Sequence, residues 1–148
     1  MSVPPKPNAF IKPTLDTRFH IDYDWWERTP GEDLRIYLLS HLLPEQRERL
    51  SQGAEGDSQV LDYIDPETGE VFQANALELS LRMAAQEENF INLETSLVDS
   101  VFRVLLRNGN TPVSSRELEA QTGRPAQTIL KMLSGSQIYK GIRPYTES

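Results

Sequence analysis

From about Thr95 to Asn108 the chain reads as a helix, and its composition constrains the fold more than any other segment. At about 100° per residue, Leu97, Val98, Val101, Phe102, Val104, Leu105 and Leu106 cover roughly half of the helix circumference. Asp99, Ser100, Arg103 and Arg107 fill the rest, and Gly109 is a natural stop. One neighbour cannot bury so wide an arc. The helix therefore predicts one body, in which one flank packs on the C-terminal helices and the other on the N-terminal part. That burial has to supply the stability, because the 148 residues contain no cysteine. Disulfides, thiolate-ligated metal centres and thiol catalysis are excluded with it.

Charge is unevenly distributed. The net charge is −7; residues 1–94 hold 8 basic and 18 acidic side chains, and residues 95–148 hold 7 basic and 4 acidic. An acidic whole argues against general affinity for nucleic acid, while a basic C-terminal third leaves one face able to meet phosphate. No apolar run approaches the ~20 residues that span a bilayer. The N-terminus lacks the apolar core of a signal peptide. The expected location is the cytoplasm, with no membrane partner.

Residues 1–13 carry four prolines, at 4, 5, 7 and 13, and read as an extended arm that Phe10 and Ile11 could anchor. Phe19 to Asp24 alternates, with Phe19, Ile21 and Tyr23 on one side and His20, Asp22 and Asp24 on the other, as in a half-buried strand. Trp25 and Trp26 follow, and at least one should anchor the core. Thr29-Pro30-Gly31-Glu32 has the form of a capping box opening a helix through Leu43. Pro44 ends that helix, and a shorter one follows over 45–50. After a loop over 51–58, Val60–Ile64 and Glu70–Gln73 form a hairpin around Asp65-Pro66-Glu67-Thr68-Gly69. Asn75 to Glu78 is a second capping box, opening a helix to about Glu88 with Leu77, Leu81 and Ala84 on one face.

The most informative stretch follows Gly109. Ser114 and Glu117 form a capping box for a helix that Gly123 ends, and Pro125 begins another, Ala126 to Leu133, closed by Gly135. Residues 95–143 resemble the helix-turn-helix superfamily, in particular its winged-helix-like regulators: a leading helix, a Ser-capped second helix and a Gly-ended turn. The resemblance covers a third of the chain and does not extend to residues 1–94. It departs from the pattern in one respect: Ser136 to Ser148 is too short for a long hairpin wing. Ile138 to Arg143 can supply one strand, expected to pair near Val113.

The resemblance implies a recognition helix, and the residues at 124–133 are patterned like one. Ala126, Ile129, Leu130 and Leu133 lie on one side; Arg124, Gln127, Thr128 and Lys131 lie on the other. Gln127 has the group that reads adenine in a major groove, and Arg124 the group that reads guanine or holds phosphate. Lys131, Lys140 and Arg143 are expected phosphate contacts. The bland alternative is a solvated helix face, and a second is a surface that docks on protein.

Other candidates are weaker. His20, Asp22 and Asp24 on one strand face could hold a divalent metal or support catalysis, but more often form the wet side of an edge strand. His41, beside Leu38 and Leu42, fits a semi-buried structural histidine. Trp25 and Trp26 could stack on bases, though the acids around them favour a core role. Ser114 and Ser115 are caps rather than nucleophiles.

The sequence thus predicts an α+β fold, mainly helical: a Pro-rich arm (1–13), an acidic strand, helix and hairpin region (14–94), and a helix-turn-helix region with a reduced wing (95–148). The expected function is non-enzymatic DNA binding by a small transcriptional regulator or accessory factor. It needs no cofactor or metal, and a homodimer is plausible. The alternative is a protein-interaction module.

Overall fold

A computed structural model describes residues 12–52, 60–64, 69 and 71–146. The elements in chain order are β1 (Arg18–Ile21), α1 (Tyr23–Arg28), α2 (Leu34–Leu39), α3 (Pro44–Gln52), β2 (Val60–Ile64), β3 (Val71–Asn75), α4 (Ala76–Ala85), α5 (Leu97–Arg107), β4 (Val113–Ser114), α6 (Ser115–Thr122), α7 (Ala126–Leu133) and β5 (Ile142–Pro144). The fold is mixed α and β, with about half of the described residues helical. No helix among them is long and apolar enough to cross a membrane. The Pro-rich arm, including Phe10 and Ile11, lies outside the described residues up to position 11, as does most of the 51–58 loop.

The chain divides into two compact units, and the start of the chain belongs with its end. One unit joins the residues up to Pro30 with those from Ile91 onward; the other is Gly31–Phe90. The reason is strand pairing. β1 is the middle strand of an antiparallel sheet ordered β4-β1-β5, so the start of the chain is built into the C-terminal unit. Phe19 sits opposite Val113 on one side and Pro144 on the other, and Ile21 opposite Ile142. Alternation then turns Phe19 and Ile21 inward, where both are fully buried. Beyond the end of β4, the Asn110 side chain takes the place of a strand partner: its Oδ1 accepts from Ile21 N at 2.7 Å and its Nδ2 donates to Ile21 O at 2.9 Å.

Three expectations for this unit are corrected. The alternation does not continue to Asp24: the strand stops at Ile21, because the Asp22 carboxylate caps α1 by accepting from Asp24 N. The turn into α1 leaves Tyr23 exposed and carries Trp26 into the core, edge-on to Phe102 at 6.4 Å. The last strand is Ile142–Pro144, and its partner is β1, not the neighbourhood of Val113. Lys140 (φ 53°) and Gly141 (φ 77°) turn the chain into it. The wide apolar arc of α5 is buried as expected through Val101, Phe102, Val104 and Leu105, packing on α6 and β1. Ser100, assigned to its polar side, is also fully buried.

In the other unit, β2 and β3 pair as the expected hairpin, Val60 with Asn75 and Ile64 with Val71, the return strand running to Asn75 rather than stopping at Gln73, and Gly69 takes the left-handed conformation (φ 76°). The rest of that turn, 65–68, lies outside the described residues. α4 packs on this hairpin and buries Leu77, Leu81 and Ala84, ending at Ala85, short of Glu88. The capping box expected at Thr29 does not form. Thr29 ends α1 by donating its hydroxyl to Trp25 O at 2.6 Å, and Asp33 caps α2 by accepting from Ile36 N at 3.1 Å. α2 stops at Leu39, leaving His41 and Leu42 buried in the following turn, with the Tyr37 ring edge-on to His41 at 4.6 Å.

Two predictions follow from the packing. Ser114→Ala removes the hydroxyl that accepts from Glu117 N, so it should cost about 1 kcal/mol. Ser115→Ala should cost nothing or stabilise, because the fully buried Ser115 hydroxyl has no hydrogen-bond partner among the described residues. Equal losses for the two variants in urea denaturation would contradict this assignment. A methyl group at Gly141 would meet Trp26 Nε1 at 2.9 Å and Asp22 O at 3.0 Å, at a positive φ. Gly141→Ala should therefore destabilise by more than the roughly 1–2 kcal/mol that the conformation alone costs, read as a lowered denaturation midpoint.

Candidate functional site

The site is built on α6, α7 and the turn between them. The capping box is present in both directions: Glu117 N donates to Ser114 Oγ and Ser114 N to Glu117 Oε1, each at 3.2 Å. Leu118 on α6 is fully buried, and Gly123 closes the helix at φ 75°. The next cap, Pro125, has no side-chain acceptor; Glu119 supplies one, its Oε1 accepting from Ala126 N at 2.7 Å. One carboxylate thus fixes where α7 starts relative to α6, and its negative charge suits the positive end of the helix.

The register of α7 sorts its side chains as the sequence implied. Ala126, Ile129 and Leu133 are buried and Leu130 is half-buried, whereas Gln127, Thr128 and Lys131 are exposed. These three form one polar face on a helix whose opposite face is locked into the core.

The other three expected contacts lie elsewhere. Arg124 is half-buried, and its Nη2 donates to Leu93 O at 2.8 Å and to Thr95 O. Lys140 sits in the turn before β5 with its ammonium 5.9 Å from the centre of the Trp26 ring, a cation–π distance. Arg143 lies across from His20 in the sheet and donates from Nη1 to Asp22 Oδ2 at 3.0 Å. Arg28 reaches the same oxygen at 3.5 Å. The structure therefore brings Gln127, Thr128 and Lys131 together, ties Arg124 to the segment before α5, and holds Lys140 and Arg143 at the corner of β1 and α1.

Of the acids that hold these parts, sequence reasoning missed Glu119 altogether and gave Asp22 a metal or catalytic role in place of its cap and its ion pair. For Glu119 a signal existed: Pro125 leaves α7 without a cap of its own, and a carboxylate stands one short helix upstream. It also missed Arg18, exposed on the same open sheet face as His20. The imagined trio of His20, Asp22 and Asp24 does not share a strand face. His20 packs edge-on against Tyr145 at 5.2 Å, Asp22 is committed to its cap and to Arg143, and Asp24 is exposed in α1. Among the described residues no group of three His, Cys, Asp or Glu could hold a metal ion.

Electrostatics at this corner have a readable sign. Burial pushes the Asp22 carboxyl up, but the Arg143 hydrogen bond, the Asp24 amide and the charges of Arg143 and Arg28 outweigh it and hold it below the ordinary range. Burial, reinforced by Arg143 and opposed by Asp22, holds His20 below its ordinary value of 6.5. Both groups bind protons less readily folded than unfolded, so both make stability fall as pH falls. The His20 contribution is complete above about pH 6.5 and that of Asp22 above about pH 3.9. Between pH 7 and 5 the midpoint of unfolding should decline, and His20→Gln should flatten the decline. Asp22→Asn should flatten the limb below about pH 4 instead, measured by urea titration at fixed pH.

Compared with protein-family models, curated proteins and solved structures, the chain finds no match.

Proposed function

We propose that this protein binds DNA through a winged-helix-like helix-turn-helix, with α5 as leading helix, α6 as second helix and α7 as recognition helix. The observation that carries the reading is the joint exposure of Gln127, Thr128 and Lys131 on a helix anchored by Ala126, Ile129 and Leu133. A helix read by a major groove needs a fixed back and a front of hydrogen-bonding groups near its N-terminal half. Gln127 supplies a donor and an acceptor matched to adenine, Thr128 a hydroxyl that serves either base, and Lys131 a cation for phosphate. On this reading β1 and β5 replace a hairpin wing, and Arg143 and Lys140, held at the corner of β1 and α1, are further backbone contacts. The protein acts in the cytoplasm as a small regulator or DNA-associated factor, without catalysis. It works as a homodimer, since one such helix reads a few base pairs.

The second reading is a protein-docking module. It draws on the carboxylates of Glu119, at the start of α7, and Asp22, against Arg143, which weaken the field available to phosphate. Anisotropy titrations with mixed-sequence duplex DNA decide between them. DNA binding predicts measurable affinity at low salt that falls as salt rises. Lys131→Ala should weaken it across sequences and lower the salt slope by about 1, while Gln127→Ala should change sequence preference. No binding by the wild type at low salt would refute the DNA reading. A protein partner lost on substitution of Gln127 and Lys131 would establish the second.

A further inference from the structure

Arg124 is the residue whose position departs furthest from what its place in the sequence suggests. It stands in the turn leading into α7, where a cation would be expected to meet DNA. Its guanidinium instead faces the segment that enters α5, where one nitrogen donates to the carbonyls of Leu93 and Thr95. That segment is itself organised to present those oxygens. Asn92 Oδ1 accepts from Glu94 N at 2.9 Å and from Thr95 N and Thr95 Oγ1 at 3.0 Å each. Arg103, from α5, donates to Thr95 Oγ1 at 3.4 Å. The other side of the contact is equally fixed. Arg124 N donates to Thr122 Oγ1 at 3.1 Å, and Thr122 Oγ1 donates to Leu118 O at 2.7 Å. Leu93 lies over Gly123, with its Cδ2 3.4 Å from where a Cβ would stand.

We infer that Arg124 is a positioning residue: it fastens the α6–α7 turn to residues 93–95 and so sets the orientation of α7, without itself touching the partner. The inference rests on the DNA reading for what α7 meets, but the fastening itself does not depend on it. The chemistry favours arginine for this role, because its long side chain carries Nη2 to both carbonyls, the rigid guanidinium fixes the direction of that nitrogen's two N–H bonds, and it stays charged. The segment it grips is also the one by which the chain passes from the Gly31–Phe90 unit into the C-terminal unit.

The test separates fastening from phosphate contact by two readouts. The first is hydrogen exchange of the free protein. In Arg124→Ala and in Arg124→Lys, the amides at positions 94, 95, 124 and 126 should exchange on the order of tenfold faster, because the shorter lysine side chain falls short of the place where Arg124 Nη2 meets both carbonyls. The second is DNA affinity against salt. Arg124→Ala should bind about tenfold more weakly with an unchanged salt slope, since no counterion is released by a residue that meets no phosphate. Arg124→Lys should be weakened in the same way although it keeps the charge. Unchanged exchange in both variants overturns the inference. So does a salt slope lowered by about 1 in Arg124→Ala, or full affinity retained by Arg124→Lys. If the wild type does not bind DNA, the exchange readout alone decides the fastening, and the DNA reading fails separately. If Arg124→Ala does not fold, Arg124→Lys carries the test.

Discussion

A four-residue strand near the start of the chain is the constraint on which the C-terminal unit depends. β4 and β5 are two and three residues long and are not paired with each other; β1 lies between them. Without β1 there is no sheet, and α5 loses the apolar surface of Phe19 and Ile21 that covers one flank. Burying two such side chains contributes roughly 3–6 kcal/mol, a large part of the stability of a small unit. The loop after α5 depends on the same strand, since Asn110 takes its left-handed conformation while its amide binds both polar groups of Ile21. The topology therefore brings residues some ninety positions apart into one hydrogen-bonded group before any surface helix can be presented.

What the sequence made legible was local. The α5 arc, the β2–β3 hairpin, the Ser114–Glu117 box, Gly123 and the two faces of α7 all carry their signal within a few residues, and each was recoverable from periodicity or cap chemistry. The failures came where local signals competed. Thr29 and Asp33 are both acceptable caps four residues apart; Asp33 prevails because the Thr29 hydroxyl is already bonded to Trp25 O and Gly31 breaks the helix between them with a positive φ. Phe19 to Asp24 alternates like a strand, yet Asp22 is also a good cap, and α1 begins because it brings Trp26 to Phe102. In the candidate site, exposure of Gln127, Thr128 and Lys131 was legible, since it follows from helical spacing. The fates of Arg124 and Arg143 were not, because their partners, Leu93, Thr95 and Asp22, are 31, 29 and 121 residues distant, respectively.

These long-range pairings bear on how α7 can work. Two of the four cations expected to meet DNA, Arg124 and Arg143, have protein oxygens as partners, and Lys140 lies over an aromatic ring. The groups that fix the frame are the groups that would otherwise have produced a broad field. On the proposed reading, long-range attraction is then weak, as suits a chain of net charge −7, and discrimination has to come from contacts at short range. Short-range contacts demand accurate placement, because a hydrogen bond weakens steeply once its angle or length is off. Glu119 on the amide of Ala126 and Arg124 on the carbonyls before α5 secure the two sides of the turn that sets that placement. On the proposed reading, a frame that binds its own charges so closely has given up attraction in exchange for orientation, the arrangement expected of a surface that recognises rather than merely adheres.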